Sequence, residues 1–414
     1  MDFSKLFTHH TLTMKTSLIR ELVASTKGIP GLISFAGGFP SPKTFPKDDL
    51  AEIYRKVVAE EGNDVLQYGP SEGDALLKKA IRETEGYPNL SDDEMLITVG
   101  STNAIYYFSK CFLEEGDVVL HEAPSFLGSL VSFDAFGVEL VGLDVDDDGI
   151  DMNMLEETIF RLKAENKRIK FLYTIPDFQN PSGVTMSLEK RMKLLEIAER
   201  HVIPILEDNP YNEMRYRGTR IPTIHRLAQD SETQKHLVTH VKSFSKILGP
   251  GLRCAYVLGQ DEIITQMCNW QQKVTLSPDG VTSRVIAHYL LSGKLKAHLE
   301  SIAEFYRPYL KTMLDALEKH MPEGVKWTKP DGGIFIWLTL PGMINADHLF
   351  NKAALEKVSF IPGSKFFAEG QEQFNTLRLN FSFSSHEQIW DGVKRLADLI
   401  RAELDTHGEA LYLP

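Results

Sequence analysis

Short β-rich runs alternate with longer amphipathic stretches between about residue 45 and residue 290. Such alternation is typical of a mostly parallel sheet that is covered by helices, so the fold class is predicted to be α/β. The predicted strands are Met95–Val99, Asp117–Leu120, Phe171–Ile175, Val202–Leu206, Leu237–Val241 and Ala255–Leu258. The predicted helices include Asp74–Glu85, Thr102–Leu113, Met152–Glu165 and Leu188–His201.

The pattern changes after Ser292, which indicates a second, smaller α+β domain. Its predicted elements are a long polar-faced helix over Lys294–His320, strands around Gly333–Leu340 and Thr376–Phe381, and a closing helix over His386–Leu404. We therefore expect three parts along the chain. These are an arm over residues 1–44 that joins the small domain, a large domain over residues 45–293 and the small domain over residues 294–414.

Composition and charge exclude several classes of protein. The chain has 414 residues, of which 43% are hydrophobic and 25% charged, as in ordinary globular proteins. No stretch near the ~18–20 residues that a membrane span requires is free of charge. With 45 basic against 57 acidic residues, the net charge of −12 argues against a nucleic-acid partner, which needs a basic surface.

Cysteine usage and the first residues indicate the compartment. Cys111, Cys254 and Cys268 have no C-x-x-C spacing and stand in apolar surroundings, which favours reduced, structural thiols. Residues 1–13 carry charges and two histidines and lack the apolar core of a secretory signal. We therefore expect a cytoplasmic protein that does not bind a membrane.

Polar and aromatic residues follow five of the predicted strands at the point where each strand ends. In open α/β sheets, ligands bind beyond the carboxyl ends of the strands, so these groups are expected to share one edge. In chain order they are Gly100-Ser101-Thr102, Pro124-Ser125-Phe126, Gln179-Asn180-Pro181, Asp208-Asn209-Pro210-Tyr211 and Ser243-Phe244-Ser245-Lys246, with Arg253 following.

One cofactor suits this set of groups. Gly100 stands at a helix start, where backbone N–H groups favour a phosphate, and Ser243 and Arg253 could complete the phosphate cradle. A lysine such as Lys246 can form a Schiff base with an aldehyde. A buried acid such as Asp208 keeps a ring nitrogen protonated, so that the ring accepts electrons. A phosphate, an aldehyde and a pyridine nitrogen together indicate pyridoxal 5′-phosphate.

Several segments carry a family resemblance. They are S-F-S-K-I-L-G-P-G-L-R at 243–253, Q-N-P-S-G at 179–183, E-D-N-P-Y at 207–211 and L-R-L-N-F-S at 377–382. With these motifs in this order, the chain resembles the class I/II aminotransferases of pyridoxal-phosphate fold type I over essentially its whole length. The segments S-L-I-R-E-L at 17–22, I-S-F-A-G-G-F-P-S-P at 33–42 and L-Q-Y-G-P-S-E-G at 66–73 are similar to the 2-aminoadipate and kynurenine aminotransferases.

The resemblance assigns roles around the cofactor ring. Lys246 would hold the cofactor and then move the proton between the substrate and the cofactor. Asp208 would face the pyridine nitrogen, and Tyr211 and Asn180 would bind the ring hydroxyl. Phe126 would stack on the ring, at a position where relatives often carry tyrosine.

The resemblance also assigns the phosphate and the substrate contacts. The expected phosphate ligands are Gly100, Ser101, Thr102, Ser243, Ser245 and Arg253, together with Tyr68 from a neighbouring subunit, which implies a homodimer with composite sites. Arg378 would bind the substrate α-carboxylate, and Asn180 would also contact the substrate. Arg20 would pair with a distal carboxylate of glutamate or 2-aminoadipate, and Gly38 would line the same cavity.

The expected function is transfer of an amino group from an L-amino acid to a 2-oxo acid, with 2-oxoglutarate as the expected acceptor, in ping-pong half-reactions. The expected amino acids are 2-aminoadipate, glutamate, aromatic and branched-chain substrates. Another fold type I reaction, such as β-elimination or decarboxylation, uses the same cofactor shell and stays open. A ligand-sensing regulator is disfavoured, because only about 45 residues precede the large domain and the chain is acidic.

One motif imitates a metal site. Asp144, Asp146 and Asp148 are spaced like the start of a calcium loop, but Leu155 stands where a bidentate glutamate is required. We interpret the segment as a solvated turn, with Asp151 capping the next helix, and predict no metal site.

Overall fold

An eight-stranded sheet lies at the centre of the structure, a computed structural model that describes residues 3–8, 11, 12 and 28–410. In chain order the described strands are β1 (Ile33–Ser34), β2 (Met95–Thr98), β3 (Val118–Ala123), β4 (Glu139–Asp146), β5 (Gly149–Ile150), β6 (Ile169–Thr174), β7 (Ile205–Asp208), β8 (Val238–Ser243), β9 (Ala255–Leu258), β10 (Lys326–Trp327), β11 (Phe335–Thr339), β12 (Val358–Ser359), β13 (Ile361–Pro362) and β14 (Thr376–Asn380).

Helices cover this sheet and build the rest of the described chain. They are α1 (Lys47–Val65), α2 (Ala75–Glu85), α3 (Ser101–Phe112), α4 (Leu127–Asp134), α5 (Met152–Ala164), α6 (Leu188–His201), α7 (Ile224–Ala228), α8 (Asp261–Val274), α9 (Gly280–Leu291), α10 (Leu295–His320), α11 (Ala346–Leu355) and α12 (His386–Ala410). In this part of the chain, no helix combines the length and the apolar composition that a bilayer crossing requires.

The central sheet has the strand order β2-β9-β8-β7-β6-β3-β4-β5. Strands β4, β3, β6, β7 and β8 are parallel, whereas β9 is antiparallel to both of its neighbours and β5 is antiparallel to β4. Strand β2 therefore points the same way as β8. The carboxyl ends of β2, β3, β6, β7 and β8 consequently meet at one edge.

Both faces of the central sheet are buried, which explains the apolar runs of its strands. On one face, Leu155 of α5 and Leu194 of α6 belong to a buried cluster with Leu172 of β6. On the other face, Phe108 of α3 and Met267 of α8 belong to the larger cluster, which extends into the helices and strands after residue 294.

A second sheet, with the order β10-β11-β14-β13, is antiparallel. Strand β1 forms a separate parallel pair with β12, in which Ile33 lies opposite Val358. Residues 33 and 34 are thus held against an element from the C-terminal third of the chain. The division into an arm and two domains stays a prediction.

The predicted α/β class with a mostly parallel sheet is confirmed, and each predicted helix is present with small shifts at its ends. One predicted strand begins at the wrong residue, and β4 is one of several strands that were not predicted. Strand β4 was missed, because its outward residues are only half-buried and its polar end was interpreted as a turn. The strand predicted from Val202 begins at Ile205, because Val202 adopts a left-handed conformation that ends α6.

The calcium-like segment is a turn only in part, since Asp144 and Asp146 belong to the end of β4 and Asp148 lies in the turn that leads into β5. The Lys190 ammonium lies 2.5 Å from an Asp146 carboxylate oxygen and 2.9 Å from one of Asp148, so a cation of the protein bridges the two acids. The Asp151 carboxylate accepts hydrogen bonds from the Asn153 and Met154 N–H groups at 2.9 and 3.1 Å. The predicted helix cap is therefore confirmed.

Candidate active site

The segments that follow the converging strands form a polar site at the carboxyl edge of the central sheet. Lys246 ends a short helical turn directly after β8, in which the Ser243 hydroxyl accepts a hydrogen bond from the Ser245 N–H at 3.1 Å. The Lys246 ammonium donates to the Gly38 carbonyl at 3.0 Å. Burial and the nearby positive charge of Arg378 lower the pKa of Lys246 to about 8, so a minority of the amine that is far larger than for an ordinary lysine is neutral near physiological pH.

Asp208 is the last residue of β7 and is buried. Its Oδ2 accepts a hydrogen bond from the Tyr173 hydroxyl at 2.8 Å, whereas its Oδ1 is buried without a partner among the described residues. Burial raises the pKa of Asp208 to about 6. The carboxylate thus has one oxygen fixed by the protein and one oxygen available to a ligand.

Arg378 lies on β14 and reaches the same edge from the second sheet. Its Nη1 donates to the Asn180 side-chain oxygen and its Nη2 to the Ala36 carbonyl, each at 2.9 Å. The guanidinium lies 4.1 Å from the centre of the Phe335 ring and 4.9 Å from that of Phe366. No carboxylate of the described residues pairs with it, and its buried Nε has no partner there.

Tyr211 and Asn180 lie between these charges. Tyr211 is buried, and its ring meets that of Phe335 edge-on with 6.0 Å between the centroids. Burial raises the pKa of Tyr211, so its hydroxyl stays protonated, and Asn180 forms a hydrogen bond with it. The Tyr211 ring centroid is 5.6 Å from the Lys246 ammonium.

Gly100 shapes the predicted phosphate cradle at the start of α3. Its φ is +84°, and a Cβ at this position would overlap the Arg253 guanidinium, so the close approach of the arginine requires glycine. The Ser243 and Ser245 hydroxyls are 2.9 Å apart nearby. Thr102 is exposed and Ser101 is half-buried.

The remaining predicted residues occupy different positions. Phe126 precedes α4, is half-buried and packs against the larger core cluster. A Cβ on Gly38 would lie 3.5 Å from the Phe335 ring and 4.0 Å from the Arg378 Nη2. Tyr68 is 82% exposed and does not reach the site of its own chain. Arg20 lies outside the described residues.

Sequence reasoning missed a buried clamp that joins two of these segments. The Glu122 carboxylate, at the end of β3, accepts hydrogen bonds from the Thr174 hydroxyl at 2.7 Å and the Gln179 amide at 3.2 Å. Gln179 also donates to the Pro124 carbonyl at 2.6 Å. Burial raises the pKa of Glu122 to about 7. The clamp fixes the segment of Phe126 relative to the loop of Asn180.

The residues present fit pyridoxal 5′-phosphate. The buried Asp208 Oδ1 lacks a partner and suits a protonated ring nitrogen. The helix start at Gly100, with Arg253 against it, suits a phosphate dianion. Lys246, with its lowered pKa, is suited to react with an aldehyde.

Comparisons with known proteins agree with this chemistry. The family model "Aminotransferase class I and II" matches residues 36–396. Aromatic-amino-acid aminotransferase 1 of Thermococcus litoralis is 39% identical over 98% of this chain and 96% of its own. A kynurenine aminotransferase structure from Pyrococcus horikoshii, in complex with PMP, is 37% identical with a TM-score of 0.93, and the match covers 97% of this chain and 98% of that one.

A third relative has a pyridoxyl compound in its structure. The α-aminoadipate aminotransferase of Thermus thermophilus, complexed with N-(5′-phosphopyridoxyl)-L-leucine, is 34% identical with a TM-score of 0.89. The match covers 98% of this chain and 100% of that chain. The motifs, the site and a family match over most of the length agree. The chain is a pyridoxal 5′-phosphate-dependent transaminase of the class I and II aminotransferase family.

Proposed function

We propose that this transaminase moves the amino group of an aromatic, branched-chain or acidic L-amino acid to 2-oxoglutarate, with Lys246, Asp208 and Arg378 as its central residues. The observation that carries the proposal is that three incompletely neutralised groups share one site: a lysine amine, a half-paired carboxylate and an arginine without an acidic partner among the described residues. Such groups cluster where a ligand completes their pairing.

Each group has a separate task. Pyridoxal 5′-phosphate, when bound, supplies a pyridinium ring that takes up the electron pair released when a proton leaves the substrate α-carbon. Asp208 keeps the ring nitrogen protonated through its free Oδ1. Lys246 Nζ would accept the α-proton and pass it to the carbon that carries the cofactor's aldehyde, because a pKa near 8 lets the amine exchange protons at physiological pH.

Arg378 binds the α-carboxylate of the substrate. Its charge is buried between two aromatic rings, where a carboxylate gains more than it would from a solvated arginine. The backbone carbonyl of Ala36 and the Asn180 side chain hold the guanidinium in place. The amino acid is thereby oriented with its α-carbon near Lys246.

The proposed contact of an aromatic or branched-chain substrate side chain is Phe39, an exposed aromatic residue that directly follows Gly38. The proposed partner of an acidic side chain is Arg20. The names of the relatives, which include aromatic-amino-acid, kynurenine and α-aminoadipate aminotransferases, support a site that accepts several side chains.

An absorbance titration tests this function. The purified enzyme is mixed separately with L-2-aminoadipate, L-glutamate, L-leucine, L-phenylalanine and L-kynurenine, and the cofactor spectrum is followed. We expect conversion to the amine form of the cofactor and recovery on addition of 2-oxoglutarate. The ranking of the conversions gives the substrate class.

Two variants complete this experiment. Lys246→Ala is expected to abolish both the spectrum of lysine-bound cofactor and turnover, whereas Lys394→Ala, on the surface, leaves both unchanged. Release of carbon dioxide would instead establish decarboxylation, and release of ammonia without conversion of the cofactor to its amine form would establish β-elimination. Persistence of the lysine-bound spectrum in Lys246→Ala would show that the lysine is wrongly assigned.

We also propose a homodimer in which Tyr68 enters the partner's site. Tyr68 is exposed beside Leu66, and Val274, the last residue of α8, is exposed together with Leu276. The two segments are neighbours, because the Gln271 side chain of α8 donates to the Ser71 carbonyl at 2.6 Å. This apolar surface next to the phosphate cradle suits a second copy of the chain.

Mixing two inactive variants tests the composite site. Lys246→Ala and Tyr68→Ala each impair the enzyme alone, but a mixed dimer has one site with both wild-type groups if Tyr68 acts across the interface. Unfolding and refolding the mixture should restore activity to roughly a quarter of all sites. If Tyr68 acts within its own subunit, or not at all on the cofactor, mixing restores nothing beyond the added activities.

A reducing compartment such as the cytoplasm is also proposed. All three cysteines are free, and burial raises the pKa of Cys111 to about 11 and that of Cys254 to about 12. Such thiols are poor nucleophiles and behave as small apolar side chains. Thiol counting on protein purified without reductant, with three free thiols expected, checks this proposal.

A further inference from the structure

A chain of two hydroxyl groups leads to the Asp208 carboxylate. The Ser129 hydroxyl, on α4, donates to the Tyr173 oxygen at 2.8 Å, and the Tyr173 hydroxyl donates to Asp208 Oδ2 at 2.8 Å. All three side chains are buried. The chain joins the helix that begins after Phe126 to the carboxylate at the end of β7.

We propose that Tyr173, held by Ser129, is a positioning residue that keeps Asp208 ionised and leaves only Oδ1 free for the cofactor nitrogen. This inference rests on the proposed role of Asp208. Without the tyrosine hydroxyl, both carboxylate oxygens would be buried without a partner, and the side chain could rotate or take up a proton.

The direction of the hydrogen bonds supports this role. Burial holds the pKa of Tyr173 well above its usual range, so the phenol remains a donor at every pH at which the enzyme is folded. A donor to a carboxylate stabilises the ionised form. Ser129 in turn donates to the phenol oxygen, which makes the phenol a stronger donor by polarising it.

Other charged groups face Asp208 from the packed elements, and the test must separate them. Lys246 and His240 favour the ionised carboxylate from the side of β8. Burial raises the pKa of Glu122, on β3, to about 7, and the negative charge of Asp208 adds to this rise. Tyr211 lies close enough for the carboxylate charge to affect it. Variants of Tyr173 and Ser129 leave all four groups in place.

The experiment measures release of pyridoxamine 5′-phosphate from the loaded full chain between pH 5 and 9, by fluorescence. This probe has no aldehyde, so its affinity does not depend on a covalent bond to Lys246. The variants are Tyr173→Phe, Ser129→Ala and Asp208→Asn. The matched control is Tyr289→Phe, because Tyr289 is buried in α9 and its hydroxyl has no partner among the described residues.

Tyr173→Phe is expected to weaken binding roughly tenfold to a hundredfold, since a hydrogen bond to a buried charge is lost. The pH below which affinity falls should also move upward by on the order of one unit, because the carboxylate protonates more easily. Ser129→Ala should shift the same midpoint in the same direction by less. Tyr289→Phe should change neither quantity.

The outcomes separate the two proposals. If Asp208→Asn weakens binding and removes the pH midpoint while Tyr173→Phe behaves like Tyr289→Phe, the positioning role is overturned and Asp208 keeps its assignment. If Asp208→Asn leaves affinity and midpoint unchanged, the role of Asp208 itself fails. Should Tyr173→Phe not fold, the midpoint of Ser129→Ala decides, and an unshifted midpoint overturns the inference.

Discussion

Glu207 and Asp208 are consecutive buried carboxylates at the end of β7, and their surroundings on the two faces of the strand differ. Glu207 accepts hydrogen bonds from the Ile224 N–H at 2.9 Å, the His225 N–H at 3.0 Å and the His240 ring at 2.9 Å. Although burial alone raises the pKa of Glu207, His240 and these bonds bring it down to about 2. Asp208, with one donor, has a pKa of about 6.

Two buried arginines show the same contrast. Arg191 makes two contacts with the Asp177 carboxylate, at 2.9 and 3.2 Å, and its remaining N–H groups reach the backbone carbonyls of residues 176, 186 and 222. Arg378 has no acidic partner among the described residues and a free Nε. Among these four groups, the fully paired Glu207 and Arg191 hold the fold, whereas the half-paired Asp208 and Arg378 lie where the ligand is proposed to bind.

The largest effect on stability is expected for Glu207→Ala. The variant leaves His240 and two backbone N–H groups buried without an acceptor, so the free energy of unfolding should fall by about 3–5 kcal/mol. Urea unfolding of the cofactor-free protein measures this loss. The control Glu139→Ala breaks an exposed pair with Lys167 and should cost at most about 1 kcal/mol. Equal losses of unfolding free energy in Glu207→Ala and Glu139→Ala would contradict a stabilising role of the buried, fully paired Glu207.

Asp208→Asn is expected to stabilise the cofactor-free fold, whereas Glu207→Ala destabilises it. The folded pKa of Asp208, about 6, is above its usual value of 3.8, so the wild-type charge destabilises the cofactor-free fold at neutral pH. The amide should raise the free energy of unfolding at pH 8 by on the order of 2–3 kcal/mol. This advantage should disappear as the pH falls from 6 to 4, where the wild-type folded state takes up a proton. If the free energies of unfolding of the wild type and of Asp208→Asn changed in parallel with pH, the Asp208 charge would not be a destabilising group.

The smallest of these effects is expected for Arg378→Lys. Lysine keeps the charge but not the paired donors, so the KM for the amino acid should rise about tenfold, while the affinity for pyridoxamine 5′-phosphate changes little. Steady-state kinetics and the fluorescence assay together check this split. An unchanged KM would show that the carboxylate binds elsewhere.

Much of the fold could be predicted because the central strands are buried on both faces. They therefore appear in the sequence as apolar runs, each followed directly by polar residues. The structure brings Lys246, Asp208, Asn180 and Tyr211 to the edge where the sequence predicts them. Strand β4 escaped prediction because it lies near the margin of the sheet and is less buried than the central strands. The misplaced start of β7 came from Val202, a β-branched residue that ends a helix.

The supporting groups of the site could not be predicted from the sequence. Tyr173 stands within an apolar strand and looks like any core aromatic residue, and Ser129 lies in a short helix without a motif. Glu122 reads as an ordinary polar strand end. Ala36 and Gly38 make their contacts through backbone carbonyls, which every residue has, so these contacts cannot be predicted from a pattern of side chains.

The use of two backbone carbonyls determines which mutations this segment can tolerate. Lys246 is held by the Gly38 oxygen and Arg378 by the Ala36 oxygen, two residues apart on one extended segment. Because main-chain oxygens survive most substitutions, this attachment tolerates mutation of the side chains that present it. It does not tolerate a change of length. Deleting Phe35, which lies between the β1–β12 pair and both carbonyls, would shift both oxygens relative to their cations, so this segment is expected to tolerate point mutations better than insertions or deletions.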